Sequence, residues 1–499
     1  MKSFFLSVIL FFLVNSSYSQ YDFNKNCKGA YIATINLKFK QAEKAIKIEK
    51  NSNPSNLIPY LIENYIDFLT VVIGEQESDF EKLKENKSSR IRFLEKGDKS
   101  SPYYRFCLAE IYLQSAFAKL NYGENFTAFF EIKRSFNLIE KNIEQFPDFH
   151  PNYLCSGLLH ALIGSIPDNY KWVSTIFLLD GNVNQGANEL KFVLDSALIS
   201  DNYSHLKIEA LYYLSFIQLN LQANSEHLSE LLDYFDTISH DSNMTEPLLC
   251  YSLASIYMKN GENDKAMAIL QKSNRSNEYY PYDYLDYLLG ETKLYKFDDE
   301  AIIHFEKYVN NFKGKNYLKS AYRKIAWSYL IKGNKNKYLE NILKVKSCGR
   351  TFVGADKQAQ KEAESNIIPN IVLLKTRLLF DGGYYQKALD QLNEPDTNYL
   401  QNTKDSLECE YRKARIYHKL AKTDEAILYY DNVLKKGSEY PYYFAANSAL
   451  QLGFIYENML EFKKAESYYK KCLSLDFDEY RKSIRQKAKA GINRIEDRE

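Results

Sequence analysis

Small and large apolar residues recur at one fixed set of spacings through the second half of the chain. In the last copy the small residue Gly453 is followed, at offsets of 3, 12, 16 and 19, by Tyr456, Ala465, Tyr469 and Cys472. Five further copies centre on the small residues Ala254, Gly290, Ala326, Thr376 and Ala414. Small residues in the middle of two helices let those helices pack closely, while the larger residues fill the contact with the next pair. The pattern therefore predicts antiparallel helix pairs and an all-α fold.

The distances between these copies predict a solenoid that carries one insertion. Successive small residues are 36, 36, 50, 38 and 39 positions apart. A helix pair leaves one apolar face uncovered, which only the neighbouring pair can bury, so near-regular steps indicate stacked repeats. The step of 50 residues, between Ala326 and Thr376, places an insertion around residues 345–366. Two copies depart from the template, because Ala301 comes one residue early and Tyr338 stands where a small residue is expected.

These residues resemble the tetratricopeptide repeat (TPR) family over residues 245–480. The family has a period of about 34 residues and a pattern of Leu-Gly, Tyr and Ala, which Leu452-Gly453, Tyr456 and Ala465 match, although its tryptophan is mostly missing here. Residues 20–244 have a degenerate helical pattern with only a faint resemblance, and residues 481–499 are predicted to form a capping helix. The resemblance implies a right-handed α-solenoid of antiparallel helix pairs, in which the first helix of each pair lines a concave groove.

The N-terminal residues 1–19 have the pattern of a secretory signal peptide. Lys2 supplies a positive charge, residues 4–14 form an apolar run that only Ser7 interrupts, and Ser17 and Ser19 are small residues before Gln20. This order is typical of a cleavable signal, and the apolar run is too short to span a bilayer, which needs about 20 residues. No later stretch is long and apolar enough either. We therefore expect export by a cleaved signal, to the periplasm or the exterior if the source is bacterial.

Composition and motifs argue against several classes of function. Lys and Arg number 65 and Asp and Glu number 64, whereas a protein that binds nucleic acid usually has a clear basic excess. The seven cysteines are widely spaced without a CxxC pair, and the seven histidines form no HExxH motif, so the sequence indicates neither a zinc site nor a dense disulfide framework. No GxSxG or P-loop motif is present. We expect no enzyme, no cofactor, no metal ion and no nucleic-acid partner.

The groove that the resemblance implies supplies the candidate binding site. Residues three positions before and one position after each small residue should point into this groove. They include Tyr251, Tyr287, Arg323, Trp327, Arg377, Tyr411, Arg415 and Phe454. Aromatic side chains interleaved with arginine suit an extended peptide, because arginine binds carboxylates and backbone carbonyls. The favoured function is a non-catalytic scaffold that binds a peptide or protein segment of a partner.

Two alternative functions stay open at this point. The first is an exported protein that captures a glycan or another ligand, like the glycan binders of the starch-utilisation type that embed such repeats. The chain has only 2 tryptophans, and its cysteine nearest to the signal cleavage site is Cys27, which both argue against this alternative. The second is an enzyme or redox protein that uses Cys348, because this cysteine lies at the insertion and loops often carry function.

Overall fold

The computed structural model describes residues 20–166, 179–221, 225–240, 244–393, 400 and 402–496. Within these ranges the regular structure consists of α-helices and one 3₁₀ turn at Ser204–Leu206, with no strand. The chain divides into two compact units. Of the described residues, the first unit holds those up to Ser252 together with Ser273–Tyr282, and the second holds Leu253–Lys272 and those from Asp283 onward. The predicted signal segment, residues 1–19, lies outside the described residues.

The first unit is a succession of helices in which neighbours along the sequence pack on each other. They are α1 (Lys25–Ile35), α2 (Phe39–Ser52), α3 (Ile58–Gly74), α4 (Glu77–Leu94), α5 (Pro102–Asn121), α6 (Asn125–Gln145), α7 (Pro151–Gly164), α8 (Val183–Ile199), α9 (Lys207–Asn220) and α10 (Ser225–His240). Helix α11 (Pro247–Asn260) begins in this unit and continues into the second.

The second unit contains the copies of the sequence template and the insertion. Its helices after α11 are α12 (Asn263–Lys272), α13 (Tyr284–Leu294), α14 (Ala301–Asn311), α15 (Leu318–Ile331), α16 (Lys335–Ser347), α17 (Gly354–Ser365), α18 (Ile371–Asp381), α19 (Tyr385–Leu392), α20 (Thr403–Lys419), α21 (Thr423–Gly437), α22 (Tyr443–Asn458), α23 (Phe462–Ser474) and α24 (Arg481–Glu496). Each copy of the template falls on two of these helices, and the alanines at its small positions are buried: Ala254, Ala266, Ala326, Ala388, Ala414 and Ala426.

The last pair shows why the template needs small residues. The ring of Tyr469 on α23 lies between two glycines, and a Cβ atom on Gly453 of α22 would be 2.3 Å from Tyr469 Cε1. On the other side a Cβ atom on Gly491 of α24 would be 2.5 Å from Tyr469 Cε2. The Tyr469 hydroxyl donates to Glu457 at 2.5 Å, and Glu457 also accepts two hydrogen bonds from Arg494 of α24. Helix α24 is thereby fixed against the last pair.

A close backbone contact joins two helix pairs of the second unit that are not neighbours in sequence. The turn before α12 meets the turn before α19, where a Cβ atom on Gly383 would lie 1.9 Å from the Gly261 carbonyl oxygen. Both glycines have positive φ angles, of +77° and +79°, a conformation that glycine adopts without strain. The Nδ2 of Asn263 donates to Tyr384 Oη at 3.0 Å, and Tyr384 donates to Asp264 at 3.0 Å. We call this the Gly261–Gly383 contact.

The predicted insertion forms helix α17, which packs on α15 and α16. Asp356 is fully buried and accepts hydrogen bonds from the backbone N–H groups of Tyr317, at 2.6 Å, and Ser320, at 2.8 Å. These N–H groups belong to the first turn of α15, where helix geometry leaves them without a partner in the helix. Ala359 and Ala363, on the same side of α17, have no exposed surface. The insertion therefore caps and covers α15.

The predicted fold class, an all-α solenoid of helix pairs, is confirmed. None of the seven cysteines forms a disulfide in the structure, and all except Cys348 are buried, so they contribute packing and no cross-link. In the described ranges no helix is long and apolar enough to cross a membrane.

Candidate partner-binding groove

The structure places seven of the eight predicted groove residues on helices of the second unit. Tyr287 lies on α13, Arg323 and Trp327 on α15, Arg377 on α18, Tyr411 and Arg415 on α20, and Phe454 on α22. The eighth, Tyr251, belongs to the first unit, where its ring contacts Tyr212 and Tyr282 at centroid distances of 6.4 and 5.7 Å. All of them occupy the first helix of a pair, as the template predicts.

Arg323, Trp327 and Arg377 meet in one cluster. The guanidinium of Arg323 lies 4.5 Å from the centre of the Trp327 ring, and the guanidinium of Arg377 lies 5.1 Å from it. These distances are within the range of cation–π attraction, which is strongest for tryptophan. The ring thus holds two positive charges from different helix pairs close together, although these charges repel each other.

Lys324 belongs to the same cluster, although the template did not select it. Its Nζ lies 5.7 Å from the ring centres of both Tyr287 and Trp327 and forms an ion pair with Glu291 at 2.6 Å. The template tests positions three before and one after the small residue, whereas Lys324 lies two before Ala326. A sequence search for charged residues beside each tested position would have found it.

Glu362, from the insertion, is the second residue that sequence reasoning missed. Its Oε1 accepts a hydrogen bond from Trp327 Nε1 at 2.7 Å, and its Oε2 lies 3.8 Å from a terminal nitrogen of Arg323. The residue has no counterpart in the repeat template, because α17 is not part of a repeat. No local signal in the sequence connects residue 362 with Arg323.

Arg415 lies over a second aromatic ring. Its guanidinium is 4.2 Å from the ring centre of Phe380, at the end of α18, and 5.9 Å from that of Tyr411. Asp381 follows Phe380 and lies 3.6 Å from the Nε of Arg377. Phe454 is placed differently, because it packs edge to face on Tyr469 at 5.7 Å, against the core of the last pair.

Burial divides the predicted residues into two groups. Tyr287, Trp327 and Tyr411 are only 1–2% exposed and Arg323 is 5% exposed, so these four side chains mainly build the wall and offer little surface to a ligand. The reason is that close packing of successive pairs covers the residues beside the small positions. Arg377, Arg415, Tyr251 and Phe454 are partly exposed. That any of the eight contacts a partner stays a prediction.

The charges of the cluster are incompletely balanced. Burial lowers the pKa of Arg323 and that of Lys324, and the carboxylates of Glu362 and Glu291 oppose this only in part. Burial also acts to lower the pKa of Arg377, but Asp381 outweighs it together with other neighbours, so that this pKa is raised. A cation whose pKa is depressed by burial gains stability when a further anion approaches.

Cys348 lacks the environment of a reactive thiol. Burial raises its pKa to about 11, although Lys319 nearby acts in the opposite direction. A nucleophilic cysteine needs a lowered pKa, because the thiolate is the reactive form. This observation weighs against the alternative in which Cys348 performs chemistry. In the ranges that the structure covers, no group of three His, Cys, Asp or Glu side chains is arranged to hold a metal ion.

Comparisons with known proteins give one family match and several distant structural likenesses. A tetratricopeptide repeat model matches residues 248–280, 410–435 and 446–479. Among solved structures, the TPR domain of P58(IPK) is 14% identical and covers 88% of this chain and 97% of its own, with a TM-score of 0.22. A human IFIT1 dimer with PPP-AAAA is 14% identical and covers 91% and 95%, with a TM-score of 0.28. The APC/C hetero-tetramer Cut9-Hcn1 is 12% identical and covers 94% and 95%, with a TM-score of 0.23.

These structural likenesses are too distant to carry an argument. A search among curated proteins gives no match.

Proposed function

Because the chain is a tetratricopeptide-repeat protein, we propose that it is a non-catalytic protein-interaction scaffold that binds a peptide or protein segment in the groove of its second unit. We further propose that it is exported through cleavage before Gln20, and that it acts in the cell envelope or outside the cell. The repeats support the interaction role, since stacked helix pairs provide extended binding surfaces. The order of charged, apolar and small residues in segment 1–19 supports export.

One observation carries the binding proposal. Arg377 and Arg415 lie on the first helices of successive repeats, are partly exposed, and are held over Trp327 and Phe380. Stacking on a ring fixes the plane of a guanidinium and leaves its N–H groups free to bind a carboxylate or a carbonyl oxygen in a defined direction. Such pre-orientation lowers the entropy cost of binding a ligand.

The test is crosslinking and capture of partners by the mature protein from an extract of its own cells. The variant Arg377→Glu/Arg415→Glu reverses both partly exposed charges and leaves the buried Arg323 in place. The matched control is Lys375→Glu/Lys413→Glu, which makes the same charge change two residues earlier on the same two helices and therefore about 200° around each helix. We expect the first variant alone to lose the partner. Equal capture by both variants would refute the groove.

Export is tested separately by N-terminal sequencing of the protein that the source cells produce. We expect a chain that begins at Gln20 and is recovered from the envelope or the medium. An intact N-terminus in the cytosolic fraction would contradict this part of the proposal.

A second candidate function rests on a depression in the first unit. It has a volume of about 650 Å³ and is lined by two aromatic side chains, four amides and one carboxylate of α7, α8 and the residue before α8, namely Tyr153, Asn182, Asn184, Gln185, Asn188, Glu189 and Phe192. Aromatic faces with amides and a carboxylate suit a ligand rich in hydroxyl groups, so this is where a glycan-capturing role would reside. Saccharide titrations of the original protein and of Phe192→Ala, which removes one of the lining aromatic rings, test it. The absence of binding to the original protein would remove this candidate.

A further inference from the structure

Arginines that hold the structure together in this protein are well hydrogen-bonded. Arg90 donates to Asn64 at 3.1 Å and to Asp67 at 2.7 Å, and both arms of the contact are buried. Arg494 donates twice to Glu457, at 2.9 and 2.8 Å. These are the geometries that a guanidinium, with five N–H donors in a planar fork, is expected to reach with its own chain.

The groove arginines do not reach such geometries. In the ranges that the structure describes, Arg377 and Arg415 donate no hydrogen bond, and the Nε of Arg323 is buried without a partner. The ion pair of Arg377 with Asp381 spans 3.6 Å and that of Arg323 with Glu362 spans 3.8 Å, both longer than a hydrogen bond. Buried or half-buried donors without acceptors are costly unless another acceptor arrives. The groove therefore holds donors for carboxylates that the chain does not supply.

The carboxylate that does enter the cluster comes from outside the repeats. Glu362 accepts the indole N–H of Trp327 at 2.7 Å, while its other oxygen points toward Arg323. Its helix α17 is anchored elsewhere, by Asp356 on the start of α15 and by the buried Ala359. The Tyr338 hydroxyl also donates to Glu362 Oε1, at 3.5 Å. The attachment of α17 therefore does not depend on Glu362 alone.

We propose that Glu362 occupies the place of a ligand carboxylate, so that the groove accepts an acidic peptide segment that binds Arg377 and Arg415 and displaces Glu362 from Arg323. This inference rests on the proposed function and names the chemistry of the ligand. An acidic segment can accept hydrogen bonds from the guanidinium N–H groups that the chain leaves without an acceptor. A neutral segment has no carboxylate that could replace Glu362, so Glu362 disfavours the binding of neutral segments.

A peptide fits the charges of the groove better than a nucleic acid does. The cations Arg323, Lys324, Arg377 and Arg415 are interleaved with the acids Glu291, Glu362 and Asp381. The excess is one positive charge, because four cations face three acids. A nucleic-acid strand brings one negative charge per nucleotide and binds to continuous basic surfaces. A few carboxylates spaced along a peptide suit isolated guanidinium groups between acids.

The experiment measures binding of a fluorescein-labelled octaglutamate peptide to the full mature protein, with octaglutamine and an octameric oligoadenylate RNA as comparison probes. The test variant is Glu362→Gln, whose amide oxygen still accepts from Trp327. The matched control is Glu364→Gln, on the exposed side of the same helix. We expect Glu362→Gln to tighten octaglutamate binding by about three- to tenfold, the scale of one screened charge pair, and Glu364→Gln to leave it unchanged.

The other arms distinguish failure of this inference from failure of the proposed function. Arg377→Gln/Arg415→Gln should weaken octaglutamate binding more than about tenfold, which corresponds to about 1.4 kcal/mol. An unchanged or weaker affinity in Glu362→Gln, with normal helix content by circular dichroism, would overturn the competitor role. Octaglutamine that binds as well as octaglutamate, or RNA that binds better than either, would overturn the acidic-peptide assignment. A captured partner that still depends on Arg377 and Arg415 would then leave the scaffold proposal standing.

Discussion

The packing of Tyr469 between two glycines leads to the sharpest prediction about the fold. In Gly453→Ala the new methyl carbon would lie 2.3 Å from Tyr469 Cε1, about 1 Å inside the 3.4 Å at which ordinary contact begins. The ring has no direction in which to retreat, because the backbone of α24 at Gly491 closes its other side. The hydroxyl is held by Glu457 at 2.5 Å. The substitution must therefore displace α22 or α24.

The expected free-energy change combines two opposing effects. Overpacking of a core by a methyl group costs about 1–3 kcal/mol, and the rigid surroundings of Tyr469 favour the upper end of that range. Replacing glycine by alanine inside a helix gains about 1 kcal/mol. We expect a net loss of about 2 kcal/mol in the free energy of unfolding of the second unit. Urea denaturation followed by circular dichroism measures the loss, and amide hydrogen exchange should locate it in residues 443–496.

Two comparisons make this prediction specific. Gly354→Ala introduces the same methyl group at the start of α17, where no atom lies within 4 Å of the Cβ position, so its stability should be unchanged or slightly raised. In the Tyr469→Leu background the clash is relieved, and a double-mutant cycle should show a favourable coupling of at least about 1 kcal/mol. A Gly453→Ala protein as stable as the original, or an equal loss with and without Tyr469→Leu, would refute the packing argument.

Three further changes test other contacts of the structure. Gly383→Ala combines a positive φ angle with a clash on the Gly261 carbonyl, so it should lower the free energy of unfolding by about 2 kcal/mol or more. Amide hydrogen exchange should become faster at residues 261–264 and 382–385, and unaltered exchange there would disprove the contact. Asp356→Ala removes the acceptor that caps α15 and should lower the free energy of unfolding in urea by about 1–2 kcal/mol. Asp356→Asn should lower this free energy less, and equal losses in the two variants would contradict the capping role. Burial raises the pKa of Glu209 from 4.5 to about 8, against the opposing effect of the Tyr213 hydroxyl. The unfolded chain therefore releases this proton at lower pH than the folded one. The free energy of unfolding should therefore fall as pH rises from 4.5 to 8, by up to about 5 kcal/mol. In Glu209→Gln the midpoint of urea unfolding should change less between pH 5 and 8. An unchanged pH dependence of the midpoint in that variant would assign the dependence to other groups.

Much of the fold follows from the sequence because its cause is local. Small residues such as Ala414 and Ala426, twelve positions apart, specify where two adjacent helices touch, and each helix pair forms from residues close in the chain. The same offsets place Arg323 and Trp327 on one helix, one turn apart, so their stacking was accessible to sequence reasoning. The proximity of Arg377 to that ring required only that consecutive pairs stack in order.

Contacts between distant repeats were not accessible, and the reason is geometric. The Gly261–Gly383 contact depends on the small rotation between successive pairs, summed over several repeats and altered by the insertion. The approach of Glu362 to Trp327 depends on how helix α17, which is not part of a repeat, packs on α15 and α16. No single residue determines the rotation that accumulates over several repeats. Burial could not be predicted from the sequence for the same reason, because the rotation decides whether a residue such as Tyr287 faces solvent or the next helix.

The sequence by itself thus determined the helices, their pairing and the row of arginines on the first helices, since each arises from spacing within about forty residues. Only the tertiary structure decided which of these arginines remain partly exposed and which acids reach them. It buries Arg323 and Tyr411, leaves Arg377 and Arg415 partly exposed, and brings Glu362 from an insertion into the cluster. Solvent exposure and charge balance are properties of the stacked array, because they depend on every neighbour that the stacking brings close.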